Sequence, residues 1–427
     1  MNIIEQGKQF VQWLKELAER KAWAWRRCPS CGSTLTHKHG CYVRRVWFLK
    51  GRRRVRVQRH KCEACGRTYS EQSALLVGGS WYGREVHRCA IDHWQHVGSS
   101  LRRTAEWLRS WMGRQERWAL WRPLDERRRV TSHLSASTVQ RWLDGMGRKA
   151  QASVVGQLAG VATTGQMGTD GLWVRLRGGA KRVMLAVVDS VTGVVWPPVV
   201  VDGEESQEGW RQLFRRAKAA GLELRGLFGV TSDGCHGLTA YLRAGLKTVS
   251  HQRCVWHLWR GLARELGQQA SQAAQALAGE AAKAVRERVR AELVALIRGV
   301  LNASSYPQAE LALAKLSEHA FGLGLAQSIW QVLDAAFVYS LPYNQGLLRV
   351  APEWYWRDFR LRLSRGRNFG SELRSERAAL VWAIYRNFTP AQWRSEHKRH
   401  YRYPGQSPLA VAGAPPGDIS YLDALGV

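Results

Sequence analysis

Acidic side chains are scarce in this 427-residue chain: 34 Asp plus Glu stand against 64 Lys plus Arg, a formal charge of +30. That imbalance argues against an evenly charged surface and for a polyanion partner, because Lys and Arg that neutralise phosphates release condensed counterions. Long apolar runs are missing as well. No stretch of about 18 uncharged apolar residues occurs, so a membrane-spanning helix is not expected. The N-terminal residues 1–27 lack the pattern of a secretion signal; Ile3, Phe10, Val11, Leu14 and Leu17 read as one face of an amphipathic helix. The expected location is therefore cytoplasmic, nucleoid-associated in a prokaryote. Without an oxidising destination, the eight cysteines are expected to be metal ligands or buried thiols, not disulfides.

What is present is unevenly distributed. Residues 1–150 carry 31 basic and 12 acidic side chains, a net of +19, and the other 277 residues carry +11. The chain is too long for one ordinary core, and 45% apolar content is ample for several. In the basic third, Cys28-Pro-Ser-Cys31 and Cys62-Glu-Ala-Cys65 form two C-x2-C knuckles, each followed by glycine (Gly32, Gly66). Two knuckles supply four thiolates, a complete tetrahedral Zn2+ set, so a zinc ribbon is expected over residues 28–75. Residues 42–61 alternate like a hairpin around Lys50-Gly51 and carry nine Lys or Arg. Arg52, Arg53, Arg54 and Arg56 are the candidate phosphate contacts there. His37, His39, Cys41 and His60 are spare donors better read as surface residues.

Residues 85–150 read as helices. Leu101, Ala105, Leu108 and Met112 follow one helical stripe, and Val139, Trp142, Leu143 and Met146 another, with Ser135 or Ser137 as the cap of the last helix. This pattern suits a helix-turn-helix reader of DNA with Arg141 near its contact end, although any small helical bundle looks similar. The Arg127-Arg128-Arg129 run is either a phosphate-tracking loop or a solvated one. The uncharged stretch 151–165 is expected to be a domain boundary.

Beyond it, MGTDGLWVRLRG, KRVMLAVVDS and GVVWPPVVVDG read as strands, with Pro197-Pro198 pushing the third toward an edge or bend. An amphipathic helix, a strand ending at Ser232-Asp233-Gly234, a helix, and a short strand KTVSH follow. The order β-β-β-α-β-α-β-α is that of an RNase H-like mixed α/β core, in which Asp170 on the first strand and Asp233 past the fourth lie side by side. Cutting or joining a phosphodiester with two Mg2+ ions needs a few such carboxylates and a third acid. Asp189, at the end of the second strand, reads as a hairpin-turn residue. Most of the 21 tryptophans read as core.

Asp170-Gly-Leu-Trp-Val174, Ser232-Asp-Gly-Cys-His-Gly-Leu238 and the C-x2-H of Cys254 and His257 resemble the transposases of the Mutator-like and IS256-type superfamily. A zinc ribbon ahead of helix-turn-helix helices also resembles the front end of insertion-sequence transposases. The resemblance implies a DDE transposase that binds transposon ends and catalyses metal-dependent strand cleavage and strand transfer. Its cofactors would be Mg2+ or Mn2+ in the active site and structural Zn2+, and its partners double-stranded DNA and a second copy of the chain. It implies Asp170, Asp233 and Glu353 as the magnesium-binding set, with an all-helical insertion between the second Asp and the Glu.

The implied architecture is thus a core in two parts, 166–261 and 341–402, around an insertion at 262–340, followed by a loose tail at 403–427. Glu353 departs from the family pattern, since Val350-Ala351-Pro352 precedes it where relatives are Asn-rich; Asp358, Glu372 and Glu376 are its rivals. Pro352 permits a helix start there. Cys254 and His257 are expected either to support the active-site floor or to be a buried structural pair. Should no third acid complete the set, the chain would be an inactive, transposase-derived DNA-binding regulator.

Overall fold

A computed structural model describes residues 27–71, 75–117, 133–341, 344, 346–351, 353–363, 368–390, 405–417 and 419–426. The expected N-terminal helix and the Arg127–Arg129 run lie outside them, apart from Arg27 itself. No helix among the described residues is long and apolar enough to cross a membrane. The chain divides into two compact units, one ending at Trp142 and the other running from Leu143 to Gly426.

In the first unit, β1 (Thr36–Phe48) and β2 (Gly51–Cys62) pair antiparallel, and β3 (Thr68–Ser70) adds to β2. Phe48 opposes Gly51, so the turn is Leu49-Lys50, with Gly51 at a φ of 98° that suits glycine. Helix α1 (Arg84–Val97), helix α2 (Leu101–Arg117) and the start of α3 (Ala136–Leu158) follow. Ala105, Leu108, Met112 and Val139 bury the expected stripes against Trp47, Val86 and Ala90. Ser135 is the cap: its Oγ accepts the Thr138 N–H at 3.2 Å.

The expected boundary at 151–165 needs correction, because α3 continues to Leu158. Ala150, Val154 and Leu158, spaced i, i+4, i+8, are all buried, so an uncharged stretch that looks like a linker is a helix turned toward a core.

The second unit is built on a sheet of order β6-β5-β4-β7-β8, with β9 (Asn368–Phe369) pairing parallel with β4. Its strands are β4 (Gln166–Leu176), β5 (Lys181–Asp189), β6 (Val199–Asp202), β7 (Gly229–Ser232) and β8 (Ser250–Arg253). β4-β5 and β5-β6 are antiparallel; β4-β7 and β7-β8 are parallel. β6 begins only after Pro197-Pro198 and forms an edge, as proline's missing donor demands.

Helix α4 (Gln207–Ala219) crosses from β6 to β7, and its Gly209 sits against Val201 and Leu185. Helix α5 (His236–Gly245) links β7 to β8 and buries Leu238, Tyr241 and Leu242. Helices α6 (Val255–Ala273), α7 (Gly279–Leu301), α8 (Tyr306–Glu318), α9 (Leu323–Trp330) and α10 (Leu333–Ala336) share one apolar core that includes Leu262, Leu293, Ile297, Leu316 and Ile329.

The chain then returns to the sheet as α11 (Glu353–Arg360) and α12 (Glu372–Phe388). The loose tail expected at 403–427 is a second correction. Its described residues form α13 (Pro408–Val411) and α14 (Tyr421–Ala424), and bury Leu409, Tyr421, Leu422 and Leu425 despite their prolines. A capping box at Ser420 and Asp423 fixes the last turn, and Tyr421 meets the Tyr385 ring edge-on at 5.1 Å.

Candidate active site and metal centre

Four sulfurs cluster in the first unit. Cys28, Cys31, Cys62 and Cys65 lie within 4.8 Å of one another. The Cys28–Cys65 and Cys31–Cys62 sulfurs are each 3.6 Å apart. A disulfide would require about 2.05 Å. Tetrahedral zinc with Zn–S near 2.3 Å holds its sulfurs about 3.8 Å apart, so the spacing fits that ion.

The knuckle turn prepares a ligand. The Ser30 backbone N–H, helped by that of Cys31, overcomes burial and holds the Cys28 thiol at about 6. The Ser33 N–H pulls Cys31 down, but burial and the neighbouring sulfurs outweigh it and push it to about 12. Four close thiols cannot all ionise without a cation to share. The cluster can bind zinc.

The second cluster lies on the sheet of the second unit. β4 and β7 pair in parallel through Gln166↔Gly229, Met167↔Val230 and Gly168↔Thr231. Asp170 stands two residues further along β4 and Asp233 two residues past Thr231, just beyond the end of β7, so the register extended carries both acids to the same level on neighbouring strands. Asp170 is buried, and its Oδ1 accepts the Gly171 N–H at 2.9 Å. Asp233 follows the end of β7 in a turn: its Oδ1 accepts the Cys235 N–H at 3.0 Å, and Gly234 takes the positive φ of 82°. Beneath it, Ser232 is buried and pairs with His251 Nε2 at 2.7 Å. Burial pushes the His251 imidazole down to about 4, although the Asp233 charge opposes this.

Sequence reasoning missed one acid. Glu205, in the turn between β6 and α4, gathers with Asp233 and Cys235 so that their donor atoms lie within 4.8 Å of one another. A Cβ on Gly171 would stand 2.5 Å from Glu205 Oε1, so this glycine is what makes room for the carboxylate against β4. Gly237 plays the matching part on the other side, where a Cβ would collide with the Glu205 backbone oxygen. Burial raises the Glu205 carboxyl, and the Asp233 charge adds to it, while the Cys235 thiol and His257 pull the other way. The signal available in the sequence is the pair of glycines facing one acid, which no linear pattern exposes.

The expected supporting pair has a definite setting. Cys254 caps α6, fully buried, and its sulfur accepts the Ala351 N–H at 3.2 Å while its own N–H donates to Ser232 O at 2.6 Å. Val255 N–H donates to Arg349 O at 3.0 Å, and Thr231 Oγ1 to Leu348 O at 2.6 Å. These bonds stitch residues 348–351 along β7 and the β8-α6 corner. From there the chain enters α11, whose fully buried Trp356 donates its indole N–H to Asp170 O at 3.0 Å.

Glu353 is the first residue of α11, and its side chain lies outside the described ones. The rival acids are engaged elsewhere. Asp358 meets Arg357 and Arg386, Glu372 meets Arg182 at 2.7 Å, and Glu376 meets Arg216. Asp189 is a turn residue as expected: its carboxylate takes the N–H groups of Thr164, Val191 and Thr192.

In the first unit, Arg52, Arg53, Arg54, Arg56 and Arg141 are all exposed. Trp196, Trp210, Trp356 and Trp382 are fully buried, whereas Trp81, Trp111, Trp173, Trp256 and Trp330 are exposed, so the reading of the tryptophans as core holds only in part.

No curated protein matches the chain. A family model does, described as transposase, Mutator family, over residues 166–336. That span opens at β4 and closes at the end of α10, taking in Asp170, Glu205, Asp233, Cys254, His257 and the helical array. Over residues 166–336, then, the chain is similar to the Mutator family of transposases.

Proposed function

We propose that the protein is a DDE transposase that binds the ends of a DNA element and cuts and joins strands with Asp170, Asp233 and Glu353 as its carboxylate set. The observation that carries this reading is the parallel β4-β7 pairing, whose register brings Asp170 and Asp233 to one level. The strand order and directions support an RNase H-like core around it. Support for Glu353 comes from two tethers: Cys254 Sγ to the Ala351 N–H, two residues before it, and Trp356 to Asp170 O, three residues after it.

Carboxylate oxygens are the donors Mg2+ or Mn2+ prefers, and a four-sulfur set is what Zn2+ prefers, so each cluster suits its ion. When bound, the divalent ions would polarise the attacking water or 3′-hydroxyl and neutralise charge on the leaving oxygen. The chain's own contribution is to hold the acids rigidly. Asp170 is fixed within a paired strand, Asp233 by its turn, and the α11 start by bonds on both sides. Cys254 serves as a positioning residue, and His257, one helical turn along, lies close enough to act on the Glu205 carboxyl.

DNA binding is assigned to the basic first unit, read as a zinc ribbon with a helix-turn-helix bundle. Arg52, Arg53, Arg54 and Arg56 would track phosphates, Arg141 would sit at the groove, and two copies would act as a homodimer on paired ends.

The test is Asp233→Ala assayed on a plasmid carrying the DNA that flanks this chain's own coding sequence. Mg2+-dependent nicking at the element ends should vanish while end binding persists. Undiminished nicking by the variant would refute the reading.

A further inference from the structure

We infer that Glu205 is a fourth carboxylate ligand of the divalent-metal site, an inference that rests on the proposed transposase reading and extends it. The case begins with two places where side-chain volume has been given up. Gly171 follows Asp170 directly, and a Cβ there would stand 2.5 Å from Glu205 Oε1 and 2.7 Å from its Cδ. Gly237, on the first turn of α5, lies against the Glu205 backbone so closely that a Cβ would overlap its oxygen. The Glu205 turn is therefore clamped between the strand that carries Asp170 and the helix that follows Asp233.

The Glu205 carboxylate faces a second acid at close range. One of its oxygens lies within 4.8 Å of an Asp233 carboxylate oxygen and of the Cys235 sulfur. Oε2 is shielded from solvent and has no hydrogen-bond partner among the described residues. Two acids this close repel each other, and the oxygen left unsatisfied carries a burial cost. Among the described ion pairs, no Arg or Lys bridges Glu205 to Asp233, and the helix end of the Glu205 loop is fixed. Ser206 caps α4 by accepting the Gly209 N–H at 3.2 Å, and Ser206 N–H donates to Glu204 O at 2.9 Å. A hard divalent ion answers each of these features: it neutralises the pair, takes the unsatisfied oxygen, and prefers the oxygen donors that carboxylates offer. Cys235 is the less suitable neighbour, since a soft sulfur is a poor donor for magnesium, which prefers oxygen.

The experiment uses the full-length, zinc-loaded protein with Mn2+ as the probe, read by electron paramagnetic resonance and isothermal titration calorimetry, with thermal unfolding in parallel. Three variants are compared with the unchanged chain: Glu205→Gln, Gly171→Ala and Asp233→Asn. Glu205→Gln should weaken Mn2+ binding by roughly tenfold or more. It should also raise the melting temperature of the Mn2+-free protein, because the Glu205–Asp233 repulsion is gone. Gly171→Ala removes no ligand but displaces the Glu205 carboxylate, so it should weaken Mn2+ binding in the same direction.

If Glu205→Gln binds Mn2+ as tightly as the unchanged chain while Asp233→Asn does not, the inference about Glu205 is overturned and the site itself stands. Should Asp233→Asn bind Mn2+ normally, the carboxylate-site reading fails first, and Glu205 falls with it. A Glu205→Gln protein that melts lower without metal also overturns the inference, because the carboxylate is then a structural partner and not a repelled ligand.

Discussion

Replacing Trp356 with Phe removes one N–H from a fully buried site and should loosen the tether between α11 and Asp170. In the structure the indole donates to Asp170 O at 3.0 Å and its ring packs against Tyr355 and Phe359 at centroid distances of 4.6 and 5.6 Å. Leaving a buried carbonyl without its donor costs about 1–3 kcal/mol. The vacated part of the ring adds about 1 kcal/mol for a void larger than a methyl group. Together these give about 2–4 kcal/mol, within the ~5–15 kcal/mol that a folded domain has in hand, so the variant should fold.

At about 2–4 °C per kcal/mol for a unit of this size, the melting temperature should drop by about 4–16 °C. Calorimetry of the full chain measures this, and strand cleavage at 25 °C should fall along with it while DNA binding is unchanged. A melting shift below about 1 °C together with full cleavage activity would refute the idea that this bond anchors α11 to the Asp170 strand.

Removing zinc should act on the other unit. Chelation, or Cys62→Ala, takes away a site whose binding free energy in small zinc domains is about 10–16 kcal/mol, so the β1-β2-β3 fold and end binding should both be lost; intact binding after verified metal removal would contradict the assignment. Arg52→Ala, Arg54→Ala and Arg56→Ala combined should flatten the plot of log binding constant against log salt by about 0.9 for each phosphate no longer neutralised, and an unchanged slope would take those residues off the DNA.

His251 gives a pH prediction. Its folded pKa of about 4 lies below the unfolded value near 6.5, so the unfolded chain binds the extra proton between those values. Stability from this group is complete above about pH 6.5 and is lost as the pH falls toward 4, by roughly 3 kcal/mol in all. His251→Gln should abolish that part of the acid dependence of the melting temperature, and an identical slope in the variant would disprove it.

Much of the site's frame is legible in the order of residues alone. Asp170 and Asp233 each sit in an Asp-Gly pair beside an apolar run, before it for Asp170 and after it for Asp233, a local signal, and the alternation of strands and helices between them favours the parallel β4-β7 neighbour relation. The four cysteines are legible because a C-x2-C knuckle is a local geometry. Glu205 is not, since it sits in a Gly-Glu-Glu-Ser turn that reads as an ordinary helix start capped by Ser206. Its meaning comes from Gly171 and Gly237, 34 and 32 residues away along the chain, which only the folded sheet brings against it.

The helix through Leu158 and the packed segment near Tyr421 escape a linear reading for a related reason. Their apolar residues have tertiary partners, while uncharged Ala/Val stretches and proline-rich stretches look locally like linkers. The ion pairs that engage Glu372 and Glu376 join residues far apart in the chain and have no sequence signature at all.

The most direct test of the central claim is an anomalous-scattering map from crystals of the full chain grown with Mn2+. The account predicts manganese between the carboxylates of Asp170 and Asp233, at the level where β4 and β7 run side by side, with the first turn of α11 reaching the ion. Manganese found only elsewhere, with those two acids bearing no ion at saturating concentration, would contradict it.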